Sequence, residues 1–277
     1  MSYLFIVNPF AGKRRALNVA NTLARELPRA TITATQGPKD AVKLAQQATQ
    51  NVVIAVGGDG TVNEVINGLV HNTNKPSLGI VPLGTANLLA KYLGIETGSA
   101  RFMNSTTKAL DVGMLNNRAF VVAGGVGFDA DMFARVRPGI KKLFGQLAYP
   151  VSLFETLFLN DLTLLTIQAN GNTYQGYYCI LCNIPHYGML QIAKDASIDD
   201  GLLDLFVFTR KEIAQQLRYL VGMVTGTHQS FADVIHVKIE QAEINAQQPV
   251  LAHADAEVIG TTPIAVRVLK QAINVLV

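Results

Sequence analysis

Up to about residue 95, short apolar runs alternate with helical patterns, and no other feature narrows the fold so far. YLFIV (3–7) precedes a helix-like stretch from Ala16 to Leu27, and ATITAT (30–35) precedes DAVKLAQQAT. VVIAV (52–56) precedes VNEVINGLV, and LGIVP (78–82) precedes NLLAKYL, with Gly94 placed as a C-cap. Strand and helix in strict alternation predict βαβ units, hence a parallel sheet with right-handed crossovers and helices on its two faces.

From about residue 110 the rhythm changes. FVVAGGVGF, LTLLTIQAN, YQGYYCILCNI, LLDLFVFT, DVIHVKIEQAEINA, PVLAHAD and PIAVRVLK are strand-like, and turn residues separate several of them. Two helical candidates interrupt them, around Tyr149–Leu159 and Lys211–Val224. A mainly antiparallel β domain, a sandwich, is the natural reading. The boundary falls between 97 and 110 with no Gly/Ser linker, so the expected domains are 1–109 and 110–277.

With 49% hydrophobic and 16% charged residues, the chain of 277 forms a core rather than staying disordered. A net charge of +3 makes no case for nucleic acid but suits a protein that handles anions. The N-terminus MSYLFIVNPFAGK lacks a signal-peptide pattern, and no apolar run approaches the roughly 18 residues of a spanning helix. A cytoplasmic, non-spanning protein is the simplest expectation. Cys179 and Cys182 form a C-x-x-C without further cysteines to complete a zinc site. On a strand, positions three apart face opposite sides, so these read as buried, inert thiols.

The stretch AVGGDGTVNEVINGLV (55–70) carries the chemistry. Val62, Val65, Ile66, Leu69 and Val70 form one apolar helical face, so the GGDG loop joins a buried strand to a helix N-terminus. In an open parallel sheet that point lies at a strand's carboxyl end, where ligands bind, and free N–H groups favour anions. Asp59 would repel a bare phosphate, and fits if Mg²⁺ or a sugar hydroxyl mediates; the plainer alternative is a glycine turn with Asp59 as helix cap. Neither G-x-x-x-x-G-K-[ST] nor G-x-G-x-x-G is present, so ATP would be held in another way.

NPFAGK, GGDGTVNEVINGL, VPLGTANLLAKYLGI, GFDA and DDGLLD occur in the order seen in soluble bacterial diacylglycerol kinases, which the sequence resembles over almost its whole length. That lipid kinase family also contains sphingosine and ceramide kinases. The resemblance implies an α/β fold: an N-terminal Rossmann-like parallel-sheet domain and a C-terminal antiparallel β-sandwich, as in NAD kinases and diacylglycerol kinases. It implies ATP and Mg²⁺ as cofactors and a lipid hydroxyl, foremost that of diacylglycerol, as acceptor. On this likeness Asn8, Thr35, Gly57, Gly58, Asp59, Gly60, Thr61, Asn63 and Thr85 meet the nucleotide. Ser197, Asp200 and the Leu202 carbonyl match a structural Mg²⁺ loop, against the local reading of Asp200-Gly201 as a hairpin turn. Glu257 matches the family's general base, with Asp59 and Asp129 as further active-site carboxylates. A turn or capping role is the alternative for Asp129.

The sequence also departs from the family. HADAE (253–257) replaces the family's aspartate-glycine-glutamate triplet, so Ala256 stands where relatives have glycine. If that position has positive φ, alanine costs about 1 kcal/mol and could move Glu257. Met189 and Leu190 add bulk beside the expected cleft, altering lipid choice or merely repacking. Lys13, Arg14 and Arg15 are candidates for phosphate contact or plain solvent exposure. Arg135, Arg137, Lys141 and Lys142 precede the apolar PVSLFETLFL and read as a peripheral membrane contact, against burial of that face in the core. A lipid at a membrane surface is the expected partner; the oligomeric state stays open, a homodimer included. Two rival functions remain: an NAD kinase-like enzyme, and a nucleotide- or lipid-binding protein that has lost catalysis.

Overall fold

A computed structural model describes residues 1–96, 106–135, 162–188 and 190–277. Among these are two compact units, one of residues 1–112 and 269–277 and the other of residues 113–268. The chain passes between them twice, once within β5 (Thr107–Leu115) and once within β18 (Ile264–Leu276).

The first unit is built on four parallel strands in the order β2-β1-β3-β4: β1 (Tyr3–Val7), β2 (Ala30–Ala34), β3 (Val52–Gly57) and β4 (Ser77–Pro82). Every residue of β1 and β3 is buried, which is why these strands read as continuous apolar runs rather than alternating ones. The end of β18 continues the sheet beside β4, with Val275 opposite Leu78. Short α1 (Ala11–Arg14) is followed by α2 (Ala16–Ala24), whose Ala16, Ala20 and Leu23 pack with Phe5, Val7, Ile54 and Val56. The alternate residues of those strands face the other side. There α3 (Asp40–Gln46) and α4 (Asp59–Leu69) meet the strands and pack on each other, while α5 (Leu88–Tyr92) follows β4. The expected alternation of strand and helix is therefore present throughout this unit.

The second unit holds β6 (Arg118–Phe120), β7 (Ala123–Val126), α6 (Phe128–Arg135), β8 (Leu165–Ala169), β9 (Asn172–Gly176) and β10 (Tyr178–Cys182). A two-residue ladder, β11 (His186–Tyr187) with β12 (Leu190–Gln191), precedes β13 (Leu203–Phe208), α7 (Ile213–Thr225) and β14 (Val234–Ile239). Then come β15 (Gln241–Ala246), β16 (Leu251–Ala254) and β17 (Glu257–Thr261). One antiparallel sheet runs β14-β13-β10-β7-β16-β17. The second contains β18, β15, β8 and β9, also antiparallel. Leu181, Leu203, Leu205 and Ala252 of the first meet Leu165, Ile167, Ile244 and Ile264 of the second in one core. This is the sandwich expected from the sequence. Helix α6 was not foreseen.

Cys179 and Cys182 lie buried on β10, where burial pushes both thiols well above their ordinary range, consistent with inert side chains. Residues 137, 141–142 and 149–159, with Met189, lie outside the described residues; the membrane-contact and bulk readings placed on them therefore have no structural counterpart here. Among the described residues no helix is long and apolar enough to cross a membrane.

Candidate active site

In the first unit the predicted nucleotide segments all follow carboxyl ends of parallel strands. Asn8 follows β1 and donates its N–H to Val56 O at 3.0 Å, and Thr35 follows β2 and donates to Val7 O at 2.9 Å. Leu83, after β4, donates to Gly57 O at 2.7 Å. The strand tips are thus laced together by backbone bonds that extend the parallel ladder. Thr85 sits exposed beyond Leu83. The Asn8 side-chain amide donates to Thr61 Oγ1 at 3.4 Å, joining the first loop to the GGDG helix. Asn63 is buried, and its side-chain and backbone oxygens accept from the Asn67 amide at 3.1 and 2.9 Å.

Asp59 does not cap its own helix, for the N-cap of α4 is Gly58 and no side chain bonds there. Its carboxylate instead accepts from the backbone N–H groups of Asn87 (2.8 Å) and Leu88 (2.6 Å), so it caps α5. Asn87 is left-handed (φ +49°), and its side chain bonds both the N–H and C=O of Gly84 at 2.9 Å. Asp59 thereby ties the GGDG loop to the PLGTAN loop. The two loops touch glycine to glycine: a Cβ on Gly84 would lie 2.6 Å from Gly58 Cα, too close for any side chain. On the outer side, a Cβ on Gly60 would meet nothing within 4 Å. Gly60, in the first turn of α4, is exposed, and a helix N-terminus is where the chain favours an anion.

In the second unit, β16 and β17 are joined by Asp255 and Ala256, with Ala254 opposite Glu257. Both turn residues are left-handed, at φ +47° and +66°, as a two-residue hairpin turn of the primed type requires. Ala256 does therefore occupy a glycine-favouring conformation. Two contacts hold it there. The Asp255 carboxylate accepts the N–H groups of Val121, Val122 and Ala123 at 2.9, 2.9 and 3.0 Å. The Ala256 N–H donates to His253 Nδ1 at 3.3 Å. Because Nδ1 accepts, Nε2 carries the ring proton, and it lies 2.7 Å from Asp129 Oδ2. Asp129, on α6, is buried and also accepts from the Ala130 N–H at 2.9 Å. The Glu257 side chain is half-exposed and paired with Arg118.

The structure thus brings Asp129 and the turn bearing Glu257 together, through His253. Sequence reasoning missed His253 and Arg118. For His253 the HADAE context was a signal, since a histidine two residues before a turn can reach back to its amide; for Arg118 there was none.

The loop expected to hold Mg²⁺ also belongs to the second unit. Ser197 donates its hydroxyl to Asp199 Oδ1 at 2.5 Å, and Asp200 Oδ1 accepts the Leu202 N–H at 3.0 Å. Asp200 Oδ2 lies 2.7 Å from the ammonium of Lys238, and that hydrogen bond raises the lysine above its ordinary range. No group of three or more histidine, cysteine, aspartate or glutamate side chains is poised for a metal among the described residues. As placed, these residues do not fit a divalent cation: an ion about 2.0–2.1 Å from an Asp200 oxygen would compete with the ammonium already there.

The diacylglycerol kinase catalytic domain model matches residues 2–115, and the YegS C-terminal NAD kinase beta sandwich-like domain model matches residues 121–277. The chain belongs to the diacylglycerol kinase family and is a lipid kinase of that type. A diacylglycerol kinase of Bacillus subtilis is 29% identical over 235 residues, spanning 81% of this chain and 78% of that protein. One of Staphylococcus aureus is 29% identical over 281 residues, 93% of this chain and 86% of that protein. A crystal structure from Bacillus anthracis str. Sterne, provisionally named a diacylglycerol kinase, superposes with a TM-score of 0.84 at 26% identity. It covers 99% of this chain and 94% of that one.

Proposed function

We propose that the protein transfers the γ-phosphate of Mg-ATP to the hydroxyl of diacylglycerol, giving phosphatidic acid. The observation that carries this reading is the GGDG loop at the head of α4, pinned to the PLGTAN loop by Asp59 and open on the Gly60 side. Helix N–H groups and glycine backbone are suited to the phosphates. Asn8, Thr35, Thr61 and Thr85, at or beyond the same strand ends, are assigned to the rest of the nucleotide. Mg²⁺ enters with the nucleotide as part of the substrate.

Glu257 is assigned as the base that receives the proton of the lipid hydroxyl. Its half-exposed carboxylate leaves room for a substrate, and Arg118 holds it in place. Asp129 acts on Glu257 only through His253 and the 255–256 turn, so it is a positioning residue. The acceptor lies in a bilayer, and the enzyme works as a peripheral membrane protein. The second domain description, which names NAD kinase, keeps NAD as the rival acceptor.

The test is turnover by Glu257→Gln and Asp59→Ala variants shown to be folded by circular dichroism. Both should lose phosphoryl transfer. Full activity in a folded Glu257→Gln variant would remove the assignment of the base.

A further inference from the structure

The loop from residue 195 to residue 202 turns back on β13 and β14, and its charges converge on one side chain. Lys238 Nζ lies 2.7 Å from Asp200 Oδ2, 3.2 Å from the backbone oxygen of Asp195 and 3.8 Å from Asp204 Oδ2. The register makes this inevitable: Lys238 on β14 stands directly opposite Asp204 on β13, so both project from the same sheet face. His236, two residues earlier on that face, takes the other Asp204 oxygen at 2.6 Å, and its ring stacks on Phe206 at 4.3 Å between centroids. Asp204 is buried, so its charge needs partners, and it has two. The second oxygen of Asp200 binds the Leu202 N–H and shapes the turn.

An ammonium with three oxygen neighbours, one a loop carbonyl and two carboxylate, stands in the electrostatic position of a bound cation. We infer that Lys238 is the built-in cation of this loop, and that the protein needs no divalent ion there to hold residues 195–202 against the sheet. A lysine on a strand cannot diffuse away, so the loop is ordered by folding alone, whereas a loop closed by metal is ordered only when the ion is bound. The inference concerns the second unit alone and stands whether or not the proposed reaction is right.

The experiment is thermal unfolding of nucleotide-free protein in EDTA and in millimolar Mg²⁺, with Mn²⁺ titration followed by electron paramagnetic resonance. The variants are Lys238→Met and Lys238→Arg. Wild type and Lys238→Arg should show the same transition in both buffers and no tight Mn²⁺ site. Lys238→Met leaves Asp200 and Asp204 facing each other without their lysine. It should unfold at a lower temperature in EDTA, regain several degrees in Mg²⁺ and bind about one Mn²⁺ per chain by the linkage of binding to stability. If Lys238→Met folds only when Mg²⁺ is present, the inference is equally supported. A wild-type protein that loses stability in EDTA, or retains a stoichiometric Mn²⁺, overturns it. So does a Lys238→Met variant indifferent to both ions.

Discussion

His253 Nε2 lies 2.7 Å from Asp129 Oδ2 with both residues buried, although 124 positions separate them in the chain. The Tyr187 hydroxyl comes within 3.0 Å of the same nitrogen, and the Tyr187 ring stacks on the imidazole. The opposite ring nitrogen receives the Ala256 N–H, so a single imidazole links α6 to the turn that presents Glu257.

Removing the carboxylate takes the charged acceptor from a buried N–H and leaves only the Tyr187 hydroxyl beside it. Asp129→Ala should therefore lose roughly 1–3 kcal/mol of stability in urea unfolding. Asp129→Asn keeps an oxygen that can accept the His253 proton and should lose less. Equal losses in the two variants would show that the bond contributes nothing specific.

Ala256 holds φ +66° against its own preference. Ala256→Gly relieves a left-handed strain of about 1–2 kcal/mol while gaining unfolded-state freedom worth somewhat less. The expected net effect is a small rise in the midpoint of urea unfolding, opposite to the usual outcome of replacing alanine with glycine. A fall in the midpoint would mean that His253 and Asp255 already remove the strain.

The glycines of the nucleotide loops separate into two kinds. A Cβ on Gly84 would strike Gly58 Cα, so Gly84→Ala must push the loops apart and should cost about 1–3 kcal/mol of stability. A Cβ on Gly60 meets nothing and its backbone is helical, so Gly60→Ala should leave stability unchanged or slightly raised while raising the KM for ATP several-fold. Calorimetric unfolding beside ATP kinetics checks both. An unchanged KM in Gly60→Ala would move the phosphates to another face of the loop.

What the sequence disclosed depended on range. Apolar runs such as VVIAV and the period of VNEVINGLV are local, and β3 and α4 appear where those patterns place them. Most sandwich strands were legible for the same reason, but β17 and most of β6 lie outside the strand-like runs, and DVIHVKIEQAEINA divides into β14 and β15. Helix α6 was not, because GFDA reads as a loop motif and the helix spans only eight residues. The partners of the charged residues were hidden. Asp59 looks locally like the cap of its own helix, yet its bonds go to residues 28 and 29 positions onward. Lys238 and Asp200, 38 apart, and Arg118 and Glu257, 139 apart, meet only because distant segments fold onto one another, which no local pattern encodes. The return of residues 269–277 to the first unit is likewise a matter of pairing, since PIAVRVLK alternates like any other strand.

The acceptor decides what this kinase makes. The direct measurement is transfer of labelled γ-phosphate from Mg-ATP to diacylglycerol, monoacylglycerol, ceramide, sphingosine and undecaprenol in mixed micelles, with NAD alongside. Label should appear in phosphatidic acid and be lost in a folded Glu257→Gln variant. Label in NAD with every lipid unlabelled, or nucleotide binding without transfer to any acceptor, would rule out diacylglycerol as the acceptor.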